Sequence, residues 1–191
     1  SAFVGLENFK AFFATNNWIT VTGNTLFLNV LFIAATTITS VAIAIMLAEI
    51  SNKWVKKITQ SIVILPHFMS WTIVSMLSVA ILSANGVVNQ LITMVGGKTI
   101  EFYNTPSVWP AILVILKVWQ GAGFGSIVYL ATITGIDASI YEAAAVDGAS
   151  KTQCIFKVTL PMLKNTIIML TIMSVGKIFN GDFGMIYAMV G

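Results

Sequence analysis

The chain of 191 residues is 57% hydrophobic and only 9% charged, with a formal net charge of +3 and a mean hydropathy of +0.90. Soluble domains hold roughly 25% charged residues, so this composition excludes a compact water-soluble globule, and disorder with it. It places the chain in a bilayer.

In chain order, the first stretch sets Phe3, Leu6, Phe9, Phe12 and Phe13 at helical spacing on a polar background. Four apolar runs follow, at 24–48, 61–83, 108–134 and 162–179. Crossing a hydrocarbon core takes roughly 20 helical residues, and each run comes close to that length or exceeds it. Membrane strands would alternate apolar and polar residues over short segments, whereas these runs are continuous. The sequence therefore predicts an all-α membrane protein with four transmembrane helices in a single domain, residues 1–191.

Lysine sets the expected orientation, because the chain has ten Lys and no Arg. Lys53, Lys56 and Lys57 fall in the loop 49–60, and Lys151, Lys157 and Lys164 lie in or beside the connection after the third run. On the other side Lys10 and Lys98 are balanced by Glu7 and Glu101. By the positive-inside rule, loops 49–60 and 135–161 are cytoplasmic and the 84–107 connection is outside.

The connection 137–161 is the most polar break in the chain. Ser139 with Glu142 has the spacing of a capping box, and Asp137 offers an alternative cap, so a short helix starts there and runs through Ala143, Ala144 and Ala145. Gly148 ends it. Ser150 and Gln153 repeat the capping spacing, which predicts a second helix, Lys151 to Thr159, stopping before Leu160 and Pro161 open the fourth span. Two short helices at an angle make a rigid knuckle on which a partner can dock.

Within this knuckle, Glu142-Ala143-Ala144 is followed after three residues by Gly148, and after nine more by Val158, one residue, and Leu160-Pro161. That spacing closely resembles the EAA loop of ABC-importer permeases, with valine in place of the usual isoleucine. The resemblance implies a type I importer permease fold of six helices, of which four fall in this sequence, and a coupling segment that receives work from a separate ATPase. Its coupling residues here are Glu142, Ala143, Ala144, Asp147, Gly148, Leu160 and Pro161. Glu142 would meet a basic group on the partner while the alanines let its surface come close; Asp147 either touches the partner or caps the second helix.

No nucleotide site is visible in the chain itself. Gly97-Lys98-Thr99 imitates the tail of a P-loop, but that motif requires glycine where Ile92 stands. Gly121, Gly123 and Gly125 follow no strand; Gly121 and Gly125 instead form a G-x-x-x-G pattern for close helix packing. Cys154 and His67 are each the single residue of their type and define no metal site. Trp18, Trp54, Trp71 and Trp109 fall near span ends, as interfacial anchors do.

Lys117 and Lys177 interrupt apolar runs, and a lysine near mid-bilayer costs about 2.5–3.5 kcal/mol on insertion scales, so each is expected to face a cavity, a partner or an interface. Helical spacing puts Lys117 on one face with Gln120, Gly121 and Phe124, and Trp119 on another with Gly123 and Ser126. Lys177 stands close to the expected outer end of its run, with Asn180 and Asp182 following in a pore mouth or turn. Cation, amide and indole together suit a sugar path, and an ammonium attracts the carboxylates of uronic acids. Lys117, Trp119, Gln120, Lys177, Asn180 and Asp182 are the candidate path residues.

Further segments carry the resemblance to a narrower group. Phe3 to Phe9, Ile64-Leu65-Pro66-His67-Phe68 with Ser70-Trp71, Gly86 through Asn89-Gln90-Leu91, Tyr129-Leu130-Ala131 and Gly135-Ile136-Asp137 are similar to the lipo-oligosaccharide/polysaccharide branch of carbohydrate permeases. Asn165 departs from it, standing where that branch commonly has proline. The branch implies a bacterial inner or plasma membrane location, a second homologous permease subunit, two ATP-binding cassette ATPases that hold ATP and Mg, and an extracytoplasmic solute-binding protein that delivers an oligosaccharide. No cofactor, catalysis or nucleic acid is expected on this chain. The alternatives are an ABC permease for a non-sugar solute and, more remotely, a secondary transporter, which would need buried carboxylates or inverted repeats in its spans.

Overall fold

A computed structural model describes residues 13–14 and 17–190, so the Phe3 to Phe9 stretch and Lys10 lie outside it. All regular structure among the described residues is helical. Helix α1 (Asn17–Glu49) runs without a proline through the first apolar run and beyond both its ends. Asn52 then caps α2 (Lys53–Ile64), its side-chain oxygen accepting from the Trp54 and Val55 amides at 2.9 and 3.3 Å. Most of the expected 49–60 loop is therefore helix.

The second span departs most from expectation. Pro66 has no amide hydrogen and crowds the preceding turn, so the backbone tightens into a 3₁₀ segment, Leu65–Phe68, and α2 stops. The Ser70 hydroxyl then accepts from the Ile73 amide at 3.3 Å and starts α3 (Trp71–Leu82). The expected continuous helix 61–83 is thus two helices with a break at 65–70. A hydropathy window misses the break because Leu65, Pro66, Phe68 and Met69 are themselves apolar.

Four stretches are long and apolar enough to cross a membrane: Trp18–Glu49, Trp71–Met94, Pro106–Thr134 and Lys151–Val175. The second includes α4 (Val87–Met94), anchored by the buried Asn89, whose amide donates to the Ser83 and Ile100 carbonyls at 3.0 and 2.9 Å. Helix α5 (Trp109–Thr134) matches the third predicted span. Asp137 caps α6 (Ala138–Val146), and α7 occupies Lys151–Val175. The last helix, α8 (Phe183–Val190), follows a turn at 176–179.

Helix α5 is the axis of the molecule. Small residues let α1 lie close along it: the Ser40 hydroxyl donates to the Ala122 carbonyl at 3.0 Å, and Gly121 and Gly125 face Thr36 and Ser40. Two apolar cores form at opposite ends of this pair. One joins Val41, Ala44 and Leu47 to Tyr129, Leu130, Ile133 and Leu163; the other joins Phe32, Val74, Trp109, Leu113, Met185 and Met189. Trp109, only 6% exposed, belongs to the second core and is no interfacial anchor. Trp54 is 75% exposed, as an anchor would be.

Between the cores, contacts with α5 give the relative depth of every other segment. Going up the α2–α3 segment, Val63 meets Gly123, His67 stacks on Phe124 at 4.1 Å, and Met69 accepts from Gln120 at 2.9 Å. Trp71 lies beside Lys117. Helix α7 runs the same way: Thr166 pairs with Thr132 at 3.2 Å, and Leu170 and Ser174 share a cleft with Gly125 and Val128. It ends at Val175, short of the predicted Phe179, and α8 continues in the same direction beside α3, with the Ser75 hydroxyl donating to Ala188. Two crossings are therefore interrupted at the same level of α5. Lys177 sits at that level, not at the outer end where its position in the run suggested.

Candidate functional site

Backbone that leaves a helix at membrane depth exposes amides and carbonyls, which is tolerated only where protein buries them or they line a cavity. Both interruptions here flank the same two turns of α5. The Lys117 ammonium pairs with the Asp182 carboxylate at 2.5 Å, their side chains 32% and 27% exposed, and stands 5.5 Å from the centre of the Trp71 ring. Asp182 also accepts from the Met185 amide at 3.2 Å, which starts α8. One turn further along α5, Gln120 bonds the backbone of the first interruption. Lys117, Gln120 and Asp182 are thus brought together, and Trp71 joins them as a residue that its sequence position had marked as an anchor.

The other candidates stand apart. Trp119 lies two residues from Lys117, which places it roughly on the opposite side of the helix, and it is 44% exposed. Asn180 is exposed, its backbone N–H donating to the Lys177 carbonyl in the turn. Lys177 enters a cleft of about 320 Å³ with Thr36, Thr37, Ser40, Phe124 and Ser174. Sequence reasoning missed the three α1 residues; their hydroxyls in an apolar run were the available signal.

The Lys117–Asp182 pair holds the starts of α3 and α8 against α5. Removing one charge leaves the other partly buried and uncompensated, and exposure by a third reduces the effect. Lys117→Met or Asp182→Asn alone is expected to cost about 1–2 kcal/mol, and the double variant less than the sum of the two. Thermal inactivation midpoints of the protein in nanodiscs, arranged as a double-mutant cycle, measure this; strict additivity would show that the charges do not interact.

At the far end of α5, the predicted knuckle is present with two corrections. The Asp137 carboxylate accepts from the Ser139 amide at 2.9 Å, so Asp137 and not the Ser139–Glu142 pair caps α6. That bond holds its carboxyl below the usual range, so the cap stays ionised at neutral pH. Gly148 turns the chain at φ +77°, and Ser150 with Gln153 forms the expected capping box. The following helix does not stop before Leu160. It passes through a π-helical segment, Ile155–Thr159, into Leu160–Val175. Pro161 offers no amide to the Lys157 carbonyl, and a wider turn in front of it absorbs that loss. The Tyr141 and Thr159 hydroxyls join α6 to this wider turn at 3.0 Å.

Glu142, freed from capping, is exposed and makes no side-chain hydrogen bond or ion pair among the described residues. Ala143 beside it is exposed, and Val146 is 88% exposed. The knuckle presents a small apolar surface with two exposed carboxylates, Glu142 and Asp147, that make no side-chain hydrogen bond or ion pair among the described residues; Ser150, not Asp147, caps the helix that follows.

Residues 40–190 match the family described as binding-protein-dependent transport system inner membrane component. The chain belongs to this family. One relative, the polygalacturonan/rhamnogalacturonan transport system permease protein YteP of Bacillus subtilis (strain 168), is 34% identical over all 191 residues. The chain spans 60% of that protein's length. A solved bacterial ABC transporter involved in the import of the acidic polysaccharide alginate superposes on the whole chain with a TM-score of 0.89 at 34% identity, covering 70% of that structure's chain. A second, a bacterial alginate ABC transporter in complex with its pentasaccharide-bound periplasmic protein, gives 0.85 at 37% identity over 92% of this chain and 61% of its own. The all-helical permease fold of ABC importers is accordingly the fold of this transport component.

Proposed function

We propose that this transport component forms part of the membrane pathway of an ATP-driven importer, and that the solute is an acidic oligosaccharide. The carrying observation is the cleft between the two cores, where two interrupted helices meet at one level, Lys177 enters among the hydroxyls of Thr36, Thr37, Ser40 and Ser174 and the Phe124 ring, and the Lys117–Asp182 pair stands at the same level of α5. Half-helices that meet near the midplane frame solute sites in membrane transporters. Lys117, Gln120, Lys177, Asn180 and Asp182 line or hold this path, with Trp119 facing another part of it. The acidic polymers named for the relatives favour the same solute class.

In this reading the knuckle 137–161 and helix α2 face the cytoplasm of a bacterium. A second homologous permease subunit completes the pathway, an extracytoplasmic binding protein delivers the sugar, and two ATPases carry ATP and Mg. The chain itself performs no catalysis. ATP draws the ATPases together; the docked knuckle moves; and α7, continuous with it, carries that movement to the cleft.

The test is uptake by the complete importer, with its binding protein, in proteoliposomes. ATP-dependent accumulation of an oligogalacturonate, with less of a neutral oligosaccharide of equal length, is expected. Preference for the neutral sugar or for an amino acid would select another solute, and uptake without ATP would select a secondary transporter.

A further inference from the structure

We infer that Lys177, and not Lys117, is the cation that reads the carboxylates of the solute; this deepens the import reading above and rests on it. At the level of the two interruptions, three charged side chains occur among the described residues of the crossings: Lys117, Lys177 and Asp182. Lys117 and Asp182 neutralise each other. Their pair is further committed, since Asp182 starts α8 and Lys117 lies over Trp71 at the start of α3. Approach of an anion to Lys117 would have to displace a carboxylate already in contact with it.

Lys177 has no such partner. Its ammonium makes no ion pair or hydrogen bond among the described residues, and its side chain is exposed in the cleft. The surplus positive charge of the level therefore sits on this one residue. The neighbours suit a sugar acid: the hydroxyls of Thr36, Thr37, Ser40 and Ser174 can exchange hydrogen bonds with sugar hydroxyls, and Phe124 offers an apolar ring. The ring of Phe124 is fixed in place by its stack on His67, interplanar angle 7°. A flexible ammonium beside these hydroxyls takes a carboxylate without a fixed bidentate geometry, which fits a polymer that must pass through without being held.

The probe is one oligogalacturonate in two forms, the free acid and its methyl ester, which differ in charge and share the same hydroxyls. Uptake of each by the complete importer in proteoliposomes gives an acid-to-ester ratio. In Lys177→Met this ratio is expected to fall about tenfold, and Lys177→Arg should restore most of it, because a charge-assisted contact is removed and then replaced. In Lys117→Met both forms should fall together with the ratio kept, as loss of a structural clamp predicts. Stimulation of ATP hydrolysis by the loaded binding protein verifies that each variant assembles. A Lys177→Met importer with the wild-type ratio, or a ratio that collapses in Lys117→Met instead, would overturn the assignment while leaving acidic import standing. A wild-type importer that takes the ester as readily as the acid would overturn the acidic reading, and this assignment with it.

Discussion

Glu142→Lys is expected to abolish the stimulation of ATP hydrolysis by loaded binding protein, while the subunit still inserts and reaches wild-type levels in the membrane. The carboxylate is exposed, and helix α6 does not need it, because Asp137 provides the cap. None of the described residues therefore loses a side-chain partner when Glu142 is changed. A docked ATPase would lose one: reversal of a charge within a protein interface costs roughly 2–5 kcal/mol, a factor of 30 or more in affinity. Val146→Asp, at a valine of α6 that is 88% exposed, should act in the same direction. Wild-type stimulation in both variants would remove the docking role from this knuckle.

Gly148 is expected to behave differently, for a geometrical reason. A Cβ added there would meet nothing within 4 Å, so substitution brings no collision, only the strain of a left-handed backbone at φ +77°. That strain is about 1–2 kcal/mol for most residues and less for asparagine. Gly148→Val should therefore lower coupling strongly and Gly148→Asn weakly. Because α7 is continuous from the knuckle to Val175, a misdirected turn at Gly148 misdirects the whole rod.

The parts of the fold that were legible in the sequence are those governed by local rules. Uninterrupted apolar length located α1 and α5; a capping box located the start of α7; a glycine located the turn of the knuckle. Where two local rules competed, sequence could not decide between them: Asp137 and Ser139 both offered a cap, and the structure uses the first. Where the determinant was a missing amide, its position was visible and its consequence was not. Pro66 breaks a helix into a 3₁₀ turn, while Pro161 leaves a helix continuous through a π turn. The Lys117–Asp182 pair joins residues 65 positions apart, which no local pattern encodes. The depth of Lys177 is hidden for a related reason: α7 ends at Val175, within the apolar run, and α8 continues the crossing beside α3, so length along the sequence overestimates distance across the membrane.

The position on which the shared level of the two interruptions most depends is Gly123. The G-x-x-x-G pattern directs attention to Gly121 and Gly125, which face α1, yet an added Cβ at Gly121 would meet only Thr36 at an ordinary 3.7 Å. At Gly123 the same atom would stand 1.9 Å from the Val63 carbonyl oxygen, a backbone atom that no rotamer change can move. Helix α2 would have to withdraw from α5 by more than 1 Å to reach an ordinary contact distance. The His67–Phe124 stack and the bond from Gln120 to Met69 lie on the next turns and would be lost with it. Gly123→Ala is therefore expected to destabilise the protein at or above the upper end of the roughly 1–3 kcal/mol typical of overpacking, and Gly121→Ala by much less. Inactivation midpoints in nanodiscs compare the two directly. Equal midpoints would mean that α2 does not pack on α5 at Val63, and that the break at Pro66 stands at some other depth than the cleft.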